Sequence, residues 1–378
     1  MSWSEKSLDE LGFVSRGRSR NRPRDAAHLY GGPYPFVQTG DVKHSGLYLT
    51  EYSQTYSEEG LAQSKLWPVG TLCITIAANI ADTSILGIEA CFPDSVIGFI
   101  PTQGKADARF IKYLFDAVLK LRYRQYTQGA AQDNLSQGKL LALKFLVPDD
   151  VKEQKRIADF IASYDELIEN NRRRMQLLEE SARLLYQEWF VHLRFPGHEL
   201  VKVIDGVPEG WEKSELEGHI HFSNGKAIKK SEEGIIPIYG ANGIIGYENK
   251  SLFDSGVIVG RVGAYCGSTM LALTKFWGSD NTIIAQPAGA RFGLYFLYFM
   301  LKKLDLNRFA GGAAQPLLTQ TNLKKLEVLF PNQQLCFEFD KFSKDIFSQV
   351  NTLEERNKKL VQARDLLLPK LMNGELTV

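Results

Sequence analysis

The chain lacks the close cysteine pairs that hold zinc or build a disulfide framework. Its four cysteines, Cys73, Cys91, Cys266 and Cys336, are scattered with no CxxC spacing, and read as buried thiols in a reducing compartment. Net charge is also nearly absent. Forty-five basic residues stand against 44 acidic ones, leaving +1. Global charge therefore announces no nucleic-acid binder, and any basic surface must be local. There is no long hydrophobic run. The longest, Phe292–Leu301, has ten residues against about 20 for a bilayer, and is expected to be a buried helix. The polar start Met1-Ser-Trp-Ser-Glu-Lys6 carries no apolar signal core, so the expected location is the cytoplasm, with no membrane partner.

Catalytic signatures are missing too. No Gly-x4-Gly-Lys-Ser/Thr phosphate loop occurs, no HExxH and no recognisable nucleophile motif. Gly260-Arg-Val-Gly263-Ala-Tyr-Cys-Gly267 has the wrong spacing for a dinucleotide fingerprint and reads as tight turns between strands. Pro148-Asp-Asp-Val-Lys-Glu153-Gln-Lys155 superficially resembles a nuclease signature. It falls where a helix begins, however, and acids there suit the helix dipole. At 378 residues, two or three domains are expected.

What is present is a repeat. Gly129-Ala-Ala-Gln132 recurs as Gly312-Ala-Ala-Gln315, an offset of 183. Leu135 and Gln137 match Leu318 and Gln320, and strand-like runs then end in Pro148 and Pro331. Trp3 and Leu8 match Trp211 and Leu216 in spacing. The period is too long for a solenoid. It describes a duplicated unit made of a globular part followed by a long helix.

The helices carry a heptad seam. In the first, Ile157, Ile161, Tyr164, Ile168, Asn171, Met175, Leu178, Ala182, Leu185 and Trp189 step by four and three. The second runs Phe339, Ser343, Ile346, Val350, Leu353, Asn357, Leu360, Arg364, Leu367 and Leu371, of which seven of ten are apolar. At 1.5 Å per residue each helix spans roughly 50 Å. With a globular part between them, the two most simply pack antiparallel. A polar residue in such a seam sets register. Letting Asn171 face Asn357 also pairs Met175 with Leu353. Pro369 and Gly374 are expected to fray or bend the end of the second helix.

The expected order of parts is a globular domain (1–148), a helix (149–200), a second domain (201–331) and a second helix (332–378). The globular parts carry short β-rich runs at Leu66–Ile76, Ser95–Ile100, Val257–Val262 and Thr282–Gln286, each set followed by a helix (Arg109–Leu121, Phe292–Leu304). The fold class is α/β, mixed α+β, with a pseudo-twofold internal repeat.

Binding chemistry is local. Arg16, Arg18, Arg20, Arg22 and Arg24 alternate through Gly, Ser, Asn and Pro, a flexible or looped basic segment suited to phosphates. Arg122, Arg124, Gln128 and Gln132 continue a helix with cations and amides, the groups that read guanine and adenine edges. The repeat places Arg308 and Gln315 correspondingly. Both glutamines read equally well as caps of the returning loop. Tyr239-Gly-Ala-Asn242-Gly is a plain hairpin or a readout loop. Lys226 upstream and Arg261 in the glycine-rich turn complete the candidates. Residues 1–148 hold 16 basic and 14 acidic residues, 201–331 hold 14 and 12, and 149–200 hold 8 and 11. That division suits DNA-facing domains joined by a helical spacer.

In this order the features resemble the DNA-specificity (S) subunit of type I restriction-modification systems, over almost the whole chain. The carriers are the paired Gly-Ala-Ala-Gln, strand and Pro; Glu153-Gln154 with Ile157; Pro208-Glu-Gly-Trp211; Ile236-Pro-Ile-Tyr-Gly-Ala-Asn-Gly-Ile-Ile-Gly-Tyr247; and Leu368-Pro-Lys-Leu-Met-Asn-Gly-Glu-Leu376. One departure is Gln334-Leu-Cys336, where the family usually repeats Glu-Gln. The resemblance implies a non-catalytic subunit with no cofactor of its own. Two target-recognition domains would each read part of a split double-stranded DNA site. An antiparallel helix pair would act as ruler and as platform for two modification (M) subunits using S-adenosylmethionine. Restriction (R) subunits would add ATP and Mg²⁺. The differing domains predict an asymmetric bipartite site. Two other readings are a self-contained methyltransferase or nuclease, for which no Asn/Asp-Pro-Pro-aromatic loop or metal carboxylate set is found, and a coiled-coil adaptor that ignores DNA.

Overall fold

The computed structural model describes residues 2–21, 23–77, 80–119, 135–311 and 316–378. They form two compact units, Met1–Arg172 with Glu354–Val378, and Arg173–Leu353. Boundaries at 148, 200 and 331 follow the order of parts along the chain. The units follow packing, and each takes one globular domain with a stretch of both long helices.

In the first unit a five-stranded sheet runs in the order Gly12–Arg16, Val96–Pro101, Leu72–Thr75, Thr83–Leu86, Tyr48–Leu49. Leu72–Thr75 and Thr83–Leu86 are buried throughout, so they read as continuous runs without alternation. A second sheet is ordered Gln54–Tyr56, Tyr30–Phe36, Ala90–Cys91, Leu66–Trp67. The β-rich run Leu66–Ile76 is thus two strands in different sheets. Pro68 offers no ladder donor, and Gly70 turns the chain at φ +84°. A ladder of Trp3–Lys6 with Phe145–Pro148 closes the domain. Helix α1 (Ala108–Leu114) is capped by Asp107, whose carboxylate accepts from the Arg109 and Phe110 amides at 2.9 and 3.2 Å. It continues as a wider π turn to Leu119.

Helix α2 runs Val151–Tyr186 and ends in a π turn, Gln187–Val191. Its buried Gln154 ties the first domain down. The side-chain amide accepts from Asp107 N and donates to Lys105 O and Pro148 O, at 3.0–3.1 Å. In this unit α2 packs antiparallel on the carboxyl-terminal part of a second long helix. Asn171 Nδ2 donates to Asn357 Oδ1 at 2.8 Å, and Asn357 Nδ2 donates to Ile168 O at 3.2 Å. Arg364, the charged residue of the second seam, pairs with Asp165 at 2.6 Å. Asp165 also accepts from Tyr113 of α1, so a domain residue and both helices share one carboxylate.

The second unit repeats this plan. Its four-stranded antiparallel sheet is ordered Ile220–Asn224, Thr282–Pro287, Gly256–Gly260, Thr269–Ala272. The second sheet is ordered Gly243–Glu248, Ile236–Gly240, Trp277–Gly278, with the last pair parallel. The closing ladder is Glu212–Glu215 with Glu327–Phe330. The matched repeat residues play matching parts. Leu135 and Leu318 are fully buried. Gln137 donates to Val14 O at 3.4 Å, and Gln320, with its amide oriented to match its neighbours' donors and acceptors, donates to Phe222 O at 3.1 Å. The expected apolar helix is α3, Leu294–Lys303, with Phe296, Leu297, Phe299, Met300 and Leu301 buried.

Helix α4 spans Gln333–Met372. It continues through Pro369 and stops at Asn373-Gly374, where Gly374 has φ +78°. Proline this close to the end removes a single helical hydrogen bond, and buried Leu368, Leu371 and Met372 hold the last turn. Every residue of both seams is buried or half-buried. The departure at Gln334-Leu-Cys336 has a structural counterpart. By the 182-residue shift that carries the first seam (Ile157 to Trp189) onto the second (Phe339 to Leu371), Cys336 takes the place of Gln154 and Asp340 that of Ala158. Cys336 is buried, and Asp340 caps α3 instead, accepting from Gly293 N, Tyr295 N and Phe296 N at 2.6–3.1 Å.

The asparagine pair makes a prediction with a sign. Asn171→Leu alone leaves Asn357 Oδ1 without its donor, while Asn357 Nδ2 keeps Ile168 O, and is expected to cost about 1–3 kcal/mol. Asn171→Leu with Asn357→Leu is expected to recover that loss or exceed it. A thermal double-mutant cycle measures both, and additive losses would show that the two amides do not interact.

Candidate nucleic-acid interface

In the first unit the arginine segment is looped but not free. Arg16 ends the strand Gly12–Arg16, and its Nε donates to Asp94 O at 2.8 Å. Arg24 pairs with the Asp94 carboxylate at 2.9 Å. Between them the backbone is fastened. Gly17 N donates to Val96 O, and Arg18 N to Phe92 O. Ser64 Oγ donates to Arg18 O at 2.8 Å, and Arg20 N and Asn21 N both donate to Gln63 Oε1. A Cβ on Gly17 would lie 2.3 Å from Phe92 O, so only glycine passes there. Of the two forms expected from composition, flexible or looped, the described segment takes the looped one and is held, because glycine and serine here serve close backbone approach. Arg16, Arg18, Arg20 and Arg24 stay exposed. Arg22 lies outside the described residues, as do Arg122, Arg124, Gln128, Gln132 and Gln315.

In the second unit four loops converge. The turn Ala241-Asn242 joins Ile236–Gly240 to Gly243–Glu248 as a tight hairpin, with Gly243 at φ +108°. Ser268 Oγ donates to Ala241 O, which sets that turn beside the loop 260–268. Two left-handed glycines, Gly263 and Gly267, shape this loop, in keeping with the expected turns between strands. Arg261 N donates to Asn281 O, Leu318 N donates to Arg261 O, and Val262 bridges Leu317. Gly267 lies against the backbone of Asn307, and so beside Arg308. Asn242, Arg261 and Arg308 thus share one cluster with Tyr265, which is 50% exposed. The Arg261 Nε is buried and has no partner among the described residues.

Lys226 and Tyr239 are placed differently. Lys226 is exposed, but its backbone is pinned by Trp277 Nε1 to Lys226 O at 2.6 Å and by Lys226 N to Gly278 O at 2.8 Å. The Tyr239 ring stands edge-on to Phe276, with centroids 5.6 Å apart, and is half-buried. It packs the hairpin, while Tyr247 on the next strand is exposed.

Sequence reasoning missed Lys65. Its ammonium lies 3.8 Å from the Trp67 ring and 4.7 Å from that of Phe13. Burial lowers its pKa first, and the nearby Arg18 charge lowers it further. The available signal was weak, a lysine two residues before a tryptophan.

A duplicated mixed-fold domain on paired helices, with basic and aromatic loops exposed in both copies, has the build of a two-part nucleic-acid recognition protein. The comparisons agree. The family model described as "Type I restriction modification DNA specificity domain" matches residues 1–180 and 208–362. The chain belongs to this family, the DNA-specificity subunits of type I restriction-modification systems, and its role there is recognition, the catalytic work falling to other subunits. Curated relatives include the MjaIX specificity subunit of Methanocaldococcus jannaschii, 22% identical over 100% of this chain and 94% of that protein. Another is the HindI specificity subunit of Haemophilus influenzae, 23% identical over 99% of each. Among solved structures, the S subunit from M. genitalium shares the fold at TM-score 0.62 and 17% identity, covering 98% of this chain and 96% of that one. A chain from a study of type I complex assembly and conformational transition gives 0.51 at 15% identity, over 99% and 98%. Among the described residues, no helix is long and apolar enough to cross a membrane.

Proposed function

We propose that each domain reads one part of an asymmetric, bipartite double-stranded DNA site. The helix pair carries two modification subunits that methylate adenine with S-adenosylmethionine. Restriction subunits, with ATP and Mg²⁺, join that complex in the cytoplasm. The observation that carries this reading is the contrast between scaffold and loops. The order of the shared strands and the closing ladder repeat in both units, the first having one further edge strand in each sheet, Tyr48–Leu49 and Leu66–Trp67. Among the described residues the exposed chemistry differs, with an arginine segment in one unit and an Asn242–Arg261–Arg308 cluster in the other. Equal scaffolds with unequal loops suit two different half-sites. Helices of 36 and 40 residues measure roughly 54 and 60 Å at 1.5 Å per residue. That exceeds a duplex turn of about 34 Å.

The test is co-expression with the neighbouring methyltransferase-like gene and mapping of methylated adenines across the host genome. One split, non-palindromic motif that disappears when this chain is deleted is expected. Exchanging residues 1–148 for those of a relative is expected to change one half of the motif only. A continuous or palindromic motif, or a change in both halves, contradicts the reading.

A further inference from the structure

We propose that Lys65 and Arg18 form a phosphate clamp on the first domain, a site for the phosphodiester backbone of duplex DNA that touches no base edge. This rests on the DNA-reading function above and deepens it, by separating a residue pair that positions the duplex from those that read it.

Three observations converge. The first is placement. Ser64 Oγ donates to Arg18 O, so Arg18 and Lys65 stand side by side on backbone that is already fastened. Arg18 N is held by Phe92 O, and Gln63 Oε1 holds the next turn. The second is the ammonium itself. The Lys65 Nζ lies over the Trp67 and Phe13 rings. Ring contacts hold a cation without neutralising it. Trp67 is fully buried and stacked on Phe92 at 4.8 Å, while Phe13 is half-exposed, so the charge sits on a rigid base at the surface. The third is the missing counter-charge. Among the described residues neither Lys65 nor Arg18 has a carboxylate partner, and Asp94 on the same face is taken by Arg24. Two like charges held together in this way are relieved by an anion. The Lys65 pKa is lowered by burial first and by the neighbouring Arg18 charge second.

The chemistry favours phosphate. A lysine whose ammonium lies over two rings offers a compact point charge and no planar fork, which suits phosphate oxygens better than paired base acceptors. The competing explanation is that Lys65 merely shields the Trp67 face.

The experiment uses the full chain co-expressed with its modification partner. Affinity is measured for a duplex carrying the methylated motif and for a scrambled duplex of equal length, across about 50 to 200 mM salt. Lys65→Met keeps the stem and removes the charge. It is expected to weaken both duplexes by the same factor and to reduce the salt slope by about one. That slope change corresponds to a roughly fourfold smaller loss of affinity over this salt range. Lys65→Arg is expected to restore the slope, and the methylated motif is expected to stay the same in both variants. An unchanged slope with a lowered melting temperature would assign Lys65 to shielding Trp67 and overturn the clamp. A changed motif would make Lys65 a base reader and overturn it as well. If the unmodified complex shows no salt-dependent duplex binding, the DNA-reading function itself fails, which is a distinct result.

Discussion

Phe339→Ala is expected to destabilise the second unit by about 3–5 kcal/mol, the range for deleting a large aromatic from a packed core. Phe339 is fully buried. Its ring meets Tyr186, Trp189 and Phe190 of the first helix region at centroid distances of 5.7, 6.3 and 5.3 Å, and Phe299 of α3 at 5.8 Å. One side chain therefore joins both long helices to the domain that sits on them. Such a site collapses poorly, because its neighbours are themselves large rings fixed by one another. Hydrogen exchange resolved by segment checks the prediction. Protection in α3 is expected to fall sharply, while protection in the sheet Gly12–Arg16, Leu72–Thr75 and Val96–Pro101 is expected to hold. Equal loss in both units would mean that the core does not divide as described.

Asp340→Ala is expected to cost about 2–4 kcal/mol. It leaves three backbone N–H groups at the start of α3 without their acceptor, and hydrogen bonds to a carboxylate are worth about 1.5–3 kcal/mol each before such losses overlap. Burial raises the Asp340 pKa, and the three backbone donors oppose this without cancelling it. The sign follows from linkage. With the folded pKa above the unfolded one, the folded state holds the extra proton between the two values. Stability therefore falls as pH rises through that window. Asp340→Asn keeps an acceptor oxygen and is expected to lose less than Asp340→Ala while flattening that slope. Chemical denaturation on both sides of the window measures it. A slope unchanged by Asp340→Asn would mean that another group is responsible.

Much of the architecture was legible because it is written in short-range periods. A heptad step is a property of neighbouring turns of one helix, so the seams from Ile157 to Trp189 and from Phe339 to Leu371 could be counted directly. The Asn171–Asn357 pairing followed from them, since one contact sets the register of an antiparallel pair. The repeat was legible because both copies keep the residues that close the domain, Trp3 with Trp211, Leu135 with Leu318 and Gln137 with Gln320.

The sites were less legible. Arg16 and Arg24 meet through Asp94, some 70 residues further on. Arg18 meets Lys65 through Ser64, and the Ala241-Asn242 turn meets the Arg261 loop through Ser268, which bonds Ala241 O. Tyr239 was singled out beside Asn242, yet its ring is occupied by Phe276. Composition shows which groups are available. It does not show which are already engaged in holding the fold.

The sequence alone determined that this is a duplicated chain, with two mixed α/β domains and two long helices whose seams and polar register are set residue by residue. Those features depend on period and order, and both survive in one dimension. The tertiary structure alone decided that each compact unit takes a stretch of both helices. It decided that Asp340 replaces the cap that Asp107 and Gln154 provide in the first unit, that Pro369 ends nothing, and that the arginine segment is clamped. Each of these rests on contacts between residues far apart in the chain, where burial and the need to satisfy every backbone N–H select partners that no local pattern records.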